Sequence, residues 1–190
     1  MHTFLIFLSV VLTLGAIIPY MRDIRQGDSK PNIVSWITWT LLTGIATIAE
    51  LVAHSNVAAI LTGAAMLETL SIVLLGLKYG YVKYTKFDVV CQVGALFGFV
   101  LWWLFNSPAV AVIAAVTIDL IGELPTIKHA WMKSGEETWL TYGMSGLGAI
   151  CTIFALTEYN WTSLTYAVYI VGINFLLAGI ILGRSRLVTP

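Results

Sequence analysis

The sequence predicts an all-α membrane protein of seven transmembrane helices, two parallel three-helix bundles joined by an inversion helix. Three observations predict it. Seven apolar runs follow one another, each long enough at about 1.5 Å of rise per residue to approach or cross a hydrocarbon layer roughly 30 Å thick. All ten basic residues fall in alternate connecting segments. Shifted by 106 residues, the first three runs lie on the last three without a gap, so that Pro19 falls on Pro125 and Glu68 on Asn174. With 58% hydrophobic and 11% charged residues, the polar side chains are too few to cover a soluble surface.

The first run, Thr3 to Tyr20, lacks the basic start and small-residue cleavage pattern of a leader, and reads as a span. Pro19 is expected to stop or kink its last turn, freeing a carbonyl that in lipid needs a neighbour. Arg22 to Pro31, with Gly27, Asp28 and Ser29, is a polar turn. Ser29 or Asn32 is expected to cap the second helix, Ile33 to Ala53, with Pro31 tolerated at its start. That helix places Trp36 and Trp39 near the inner interface, Trp36 suiting belt anchoring as well as a cavity wall. The third run, Val57 to Leu77, carries Glu68 near its centre. Lys78 to Lys86, with Tyr79, Tyr81 and Tyr84, has the composition of an interfacial band.

An odd number of helices per bundle requires one extra crossing if the two bundles are to run parallel. Phe87 to Phe105 fits that role: after Asp88 it has no acid or base, it ends on Trp102 and Trp103, and it reads as purely structural. The fifth run, Ala109 to Ile127, carries Asp119, Glu123 and Pro125. Ser134 and Glu137 have the spacing of a capping box ahead of the sixth run, Thr138 to Thr157, which accounts for these acids by capping alone. Tyr142, Gly143, Ser145, Gly146 and Gly148 form a small-residue face for close packing. The seventh run, Ser163 to Gly183, holds Asn174 near mid-membrane. The domain bounds follow as 1–77 for the first bundle, 78–106 for the loop and linker helix, and 107–190 for the second bundle and tail. Cys91 and Cys151 match no metal or redox spacing and read as small buried residues.

Arg22, Arg25 and Lys30, then Lys78, Lys83 and Lys86, then Lys128 and Lys133, then Arg184 and Arg186 mark one side of the membrane. The opposite segments carry His54, Asn56, the Asn106-Ser107-Pro108 turn, Glu158 and Asn160. The basic side is the cytoplasmic one, so the amino terminus is expected outside and the carboxyl terminus inside, in the plasma (cell inner) membrane.

An acid at membrane depth costs about 2.5 to 3.5 kcal/mol even on insertion scales, so Glu68 and Asp119 are expected to face a cavity, a partner or a proton. No lysine or arginine lies inside a predicted span, and a buried salt bridge is therefore excluded as their reason. Glu123, one turn from Asp119 on the same side of its helix, is placed to share a proton with it or to close an inner gate. Glu68 and Asn174 are expected at equal depth, where an amide suits a polar uncharged ligand or, more simply, a bond between helices. Trp39 and Tyr142 are candidate stacking walls of the same cavity. The three histidines have no ligand spacing, and no nucleophile-and-base set or phosphate loop is present. An enzyme, a metal site and a cofactor are not expected, and nucleic acid is excluded because the basic residues form topology anchors. The expected partners are membrane lipid, a small polar solute and a proton, with a homo-oligomer left open.

With Pro19-Tyr20 and Pro125-Thr126 at the inner ends of corresponding helices, the layout resembles the seven-helix sugar-transporter superfamily known as SWEETs, together with the PQ-loop proteins. The resemblance covers almost the whole chain. It implies that the third helix of each bundle lies between the first and second, and that a central site is worked by alternating access. It also assigns Trp39, Tyr142, Glu68 and Asn174 to the substrate and Pro19 and Pro125 to the hinges. The glutamines of the Pro-Gln pairs are absent, Glu68 replaces one of the paired asparagines, and the second helices lack their prolines. These departures point away from a sugar and toward an amine-bearing or proton-coupled solute. Vitamin-precursor transporters of the PnuC type are similar in helix number, and cargo receptors of the same fold supply the alternative of a receptor or scaffold that transports nothing.

Overall fold

In lipid a backbone must satisfy its own polar groups, and each apolar run becomes a helix. A computed structural model of the chain describes residues 1–52, 54, 56–79, 84–104, 108–156, 159 and 161–188. Tyr81, Lys83, Asn106, Ser107, Glu158 and Asn160 lie outside the described residues, as do the side chains of Trp102, Trp103 and Arg186. The helices are α1 (His2–Gly15), α2 (Ile17–Gln26), α3 (Ile33–Val52), α4 (Asn56–Lys78), α5 (Lys86–Leu104), α6 (Pro108–Met132), α7 (Trp139–Ala155) and α8 (Trp161–Val188), with a 3₁₀ turn at Ser134–Glu136. Among the described residues, three stretches are long and apolar enough to cross a membrane: His2–Gln26, Ala58–Lys78 and Leu164–Arg184. Ile33–Ile48 and Trp139–Ala155 are shorter apolar helices. Phe4, Phe7, Ile48, Leu74, Val90, Phe97 and Phe154 face outward, an apolar exterior suited to lipid.

In the first half, α4 packs along α1, α2 and α3, while α1 and α3 do not touch among the described residues. In the second half, α8 packs along α6 and α7, which likewise do not touch. The halves meet along two seams, α1 on α7 and α3 on α6, and α5 lies on α6 and α3. Glycines set both approaches. A Cβ at Gly148 would stand 3.0 Å from Thr13 Oγ1 and 3.3 Å from the Ser9 carbonyl, and one at Gly122 would stand 2.9 Å from the Thr38 methyl.

Several local expectations are corrected. Of the two outcomes expected at Pro19, a stop is excluded: the helix is interrupted only at Ala16, which keeps helical dihedrals and a bond from its amide to the Leu12 carbonyl, and it continues through Gln26 with Pro19 in the first turn of α2, where its missing amide costs little. The neighbour required near the break is Thr141, whose hydroxyl donates to the Ala16 carbonyl at 3.0 Å. Neither proposed cap of the second helix works as one. Ser29 Oγ bonds Thr138 Oγ1, and the Asn32 amide donates to Asp88 at 3.4 Å while its Oδ1 has no partner. Trp36 is buried among Tyr20, Trp39 and Tyr142 and anchors no belt. The linker helix is not free of working polar groups, because Gln92 accepts a hydrogen bond from Thr38 Oγ1.

Candidate functional site

Helical spacing lines up Asp119, Glu123 and Thr126 along one side of α6, and His129 follows one turn later, past the end of the expected span. Asp119 and Glu123 are each 4% exposed. Tyr169 of α8 donates to Asp119 Oδ2 at 2.7 Å. Glu123 makes no side-chain hydrogen bond among the described residues and sits within electrostatic reach of Asp119 above it and Glu137 below it.

Glu137 is where the ladder meets the first half. Its side chain is fully buried. Tyr20 Oη donates to Oε2 at 2.7 Å, Tyr142 Oη to the same oxygen at 3.0 Å, and His129 Nδ1 lies 2.9 Å from Oε1. This overturns the capping-box reading. Ser134 to Glu136 form the 3₁₀ turn, α7 starts without a side-chain cap at Thr138, and the Glu137 carboxylate turns inward to two phenol donors and the His129 ring. Above it the rings of Tyr20, Trp36, Trp39 and Tyr142 stack into a plug: Tyr20 and Trp36 have centroids 5.2 Å apart, and Trp36 meets Trp39 edge-on at 4.7 Å.

The polar turn after α2 is latched to the same segment. Lys30 donates from its backbone to the Glu136 carbonyl at 2.8 Å and from Nζ to Glu136 Oε1 at 2.9 Å. Thr138 Oγ1 donates to Asp23 at 2.9 Å. Glu136 also receives Lys133 Nζ at 3.3 Å and His129 Nε2 at 3.1 Å. Burial works to raise the Glu136 carboxyl, but hydrogen bonds from Lys30, His129 and Lys133 overcome it and hold the group down at about 2. For His129 burial works to lower the imidazole, and the bonds and charges of Glu137 and Glu136 outweigh it, so it is raised above 6.5.

Glu68, 6% exposed on α4, accepts from Ser145 Oγ of α7 at 2.9 Å, a bond across the two halves. Asn174 does not join it. Its amide donates to the Ile170 carbonyl one turn back at 3.0 Å, and no hydrogen bond links it to Glu68 among the described residues. Trp39 and Tyr142 do belong to one cluster, and among the described residues the buried Trp39 Nε1 donor has no partner, nor do Ser35 Oγ of α3 and Thr126 Oγ1 of the facing α6. Pro125 lies within the unbroken α6. Beside this seal, at the end carrying the basic residues, a cleft of about 560 Å³ is lined by Asn32, Tyr84, Asp88, Lys128, His129 and Glu136, among others. Residues missed from sequence are therefore Tyr20, His129, Glu136 and Glu137. The one available signal was the run of two acids at the start of a helix beside a histidine.

Fold and site together define a multi-pass integral membrane protein with ionisable groups buried between its halves. Comparison with family models, curated proteins and solved structures found no match.

Proposed function

We propose that the chain is a proton-coupled transporter of a small polar solute, working by alternating access between two parallel triple-helix bundles, 1–77 and 107–190, joined by α5. The observation that carries the reading is Glu68. It is an acid placed mid-helix at membrane depth, it has no basic partner among the described residues, and its bond to Ser145 reaches across to the other half. The repeated packing, in which the third helix of each half touches the other two, supports the bundle reading and the SWEET-like layout. The two halves are bonded from Ser9 and Thr152 at one end to Tyr20 and Glu137 at the other, and on this reading the Tyr20–Glu137 bond and the rings beside it serve as the gate at the basic end. Glu68, Trp39, Tyr142 and Asn174 line the solute path, Asp119 and Glu123 carry the proton, and Pro19 and Pro125 mark the bending points. The amino terminus lies outside and the basic end faces the cytosol of the plasma membrane.

The test is uptake into proteoliposomes with and without an imposed proton gradient. Candidate solutes come from a thermal-stability screen of sugars, amines, amino acids and vitamin precursors, since a ligand that prefers the folded state raises its apparent stability. Gradient-dependent accumulation of a stabilising solute is the expected result. Binding with no movement across the bilayer would convert the reading to a receptor.

A further inference from the structure

His129 holds two carboxylates at once, Glu137 Oε1 through Nδ1 at 2.9 Å and Glu136 Oε2 through Nε2 at 3.1 Å. An ionised carboxylate only accepts, and a neutral imidazole has a single N–H. With both carboxylates ionised, the two contacts are satisfied together only by an imidazolium. On one side His129 faces the fully buried Glu137, and on the other it lines the 560 Å³ cleft at the basic end. Its side chain is 19% exposed, enough to exchange a proton with water while its partner stays dry.

From this geometry we infer that His129 is a proton-binding site that locks the seal between the halves: bound, the proton ties the Glu136–Glu137 turn to α6; lost, it releases Glu137 and with it Tyr20 of the first half. The inference rests on the transport reading for its purpose but not for its test. The groups around the imidazole agree on the sign. The carboxylates of Glu136 and Glu137 from the turn favour the bound proton, Glu123 from α6 lies within electrostatic reach of Glu137, and Lys30 from the first loop and Lys133 from beyond α6 are engaged on Glu136. From α2 and α7, Tyr20 and Tyr142 contribute neutral donors to Glu137. From α5, Asp88 is occupied by Asn32 and the Thr85 amide, and Lys128 lies over Phe87 at 4.6 Å. From α8, Arg184 is held on the Trp131 carbonyl and ring. When the proton leaves, one carboxylate loses its donor, and for Glu137 that means a buried charge with only two phenols to hold it.

The experiment reads the seal directly in the full-length protein, reconstituted after replacing Cys91 and Cys151 by alanine. A reporter Ala178→Cys, buried in the cluster behind the seal, is reacted with N-ethylmaleimide, and its rate is divided by that of Arg25→Cys on the exposed surface to remove the thiol's own pH dependence. The normalised rate should rise about tenfold as pH climbs through the histidine's titration, the equivalent of roughly one charge-assisted bond lost. His129→Arg, which keeps the charge, should be slow at every pH, and His129→Gln fast at every pH. A flat wild-type profile, or a pH step that survives in either variant, overturns the proposal. If the variants do not fold, nitrogen shifts of isotope-labelled histidine in the wild type decide it: a neutral His129 tautomer at the pH where the reporter is protected also overturns it. Solute uptake does not enter the assay, so a transporter without this lock and a lock without transport give different results.

Discussion

Tyr20 and Glu137, 117 residues apart in sequence, are joined by a 2.7 Å hydrogen bond in the dry interior, one end of the seam along which the two halves close. The bond has a charged acceptor, and removing its donor leaves Glu137 with Tyr142 and His129. Tyr20→Phe should cost about 1.5 to 3 kcal/mol of thermal stability, the worth of a hydrogen bond to a charged group. Tyr20→Phe combined with Tyr142→Phe should cost more than the sum, because the second loss strands the carboxylate. Additive melting shifts would show that the two phenols do not share the load.

Glu68→Gln should leave the fold intact, since Ser145 Oγ can still donate to the amide oxygen, and should abolish the response of uptake to a proton gradient. Ser145→Ala instead leaves a buried acid without its donor and should lower stability by about 1 to 3 kcal/mol. Asn174→Leu removes only a bond within its own helix and should cost under about 1.5 kcal/mol while weakening solute binding. A Glu68→Gln protein whose uptake keeps its wild-type pH profile would sink the proposed proton role.

The pH dependence of unfolding has two signs. His129 is raised, so its contribution is complete below 6.5 and is lost as pH rises through the raised value. Glu136 is depressed, so its contribution is present above 4.5 and is lost as pH falls through about 2. Thermal melts should therefore weaken as pH rises beyond 6.5 through the raised value in a His129-dependent manner, and His129→Gln should flatten that alkaline limb. An unchanged alkaline limb in the variant would remove His129 as its cause.

Gly122→Val should drive a methyl into Thr38 and push the α3–α6 seam apart, costing about 1 to 3 kcal/mol. Gly135→Ala, with open space around it, should be tolerated. Equal melting temperatures for the two variants would show that the seam yields freely.

For sidedness, single cysteines at Asn56 and Asn160 in a background lacking Cys91 and Cys151 should react with an impermeant thiol reagent in intact cells. One at Lys83 should stay protected. Labelling at Lys83 would reverse the assigned orientation.

Hydropathy made the helices legible, three of them long and apolar enough to span among the described residues, because the bilayer imposes length and polarity on each helix separately. Glu68, Asp119 and Glu123 were legible for the same reason, as acids in the wrong solvent. Glu137 was not. Its spacing from Ser134 matches a local cap, and only the packing of α2 against α7 brings Tyr20 to it. Trp36 failed similarly, since a tryptophan near a helix start has the same sequence signature in a membrane belt as in a plug. Gln92 escaped notice because a neutral amide barely alters the hydropathy of its helix, yet Thr38 finds it.

The break at Ala16 has no counterpart at the equivalent place in the second half, where Pro125 sits inside a continuous α6. Two segments with the same layout thus differ mechanically. Ala16 keeps helical dihedrals and its amide still reaches the Leu12 carbonyl at 2.9 Å, so the interruption is local, with the Thr141 hydroxyl on its carbonyl, whereas 108–132 runs on as one helix. The first half thus carries its one interruption just ahead of Tyr20, Asp23 and Lys30, the residues that bond it to the Glu136–Thr138 segment, and the second half carries none at the matching place.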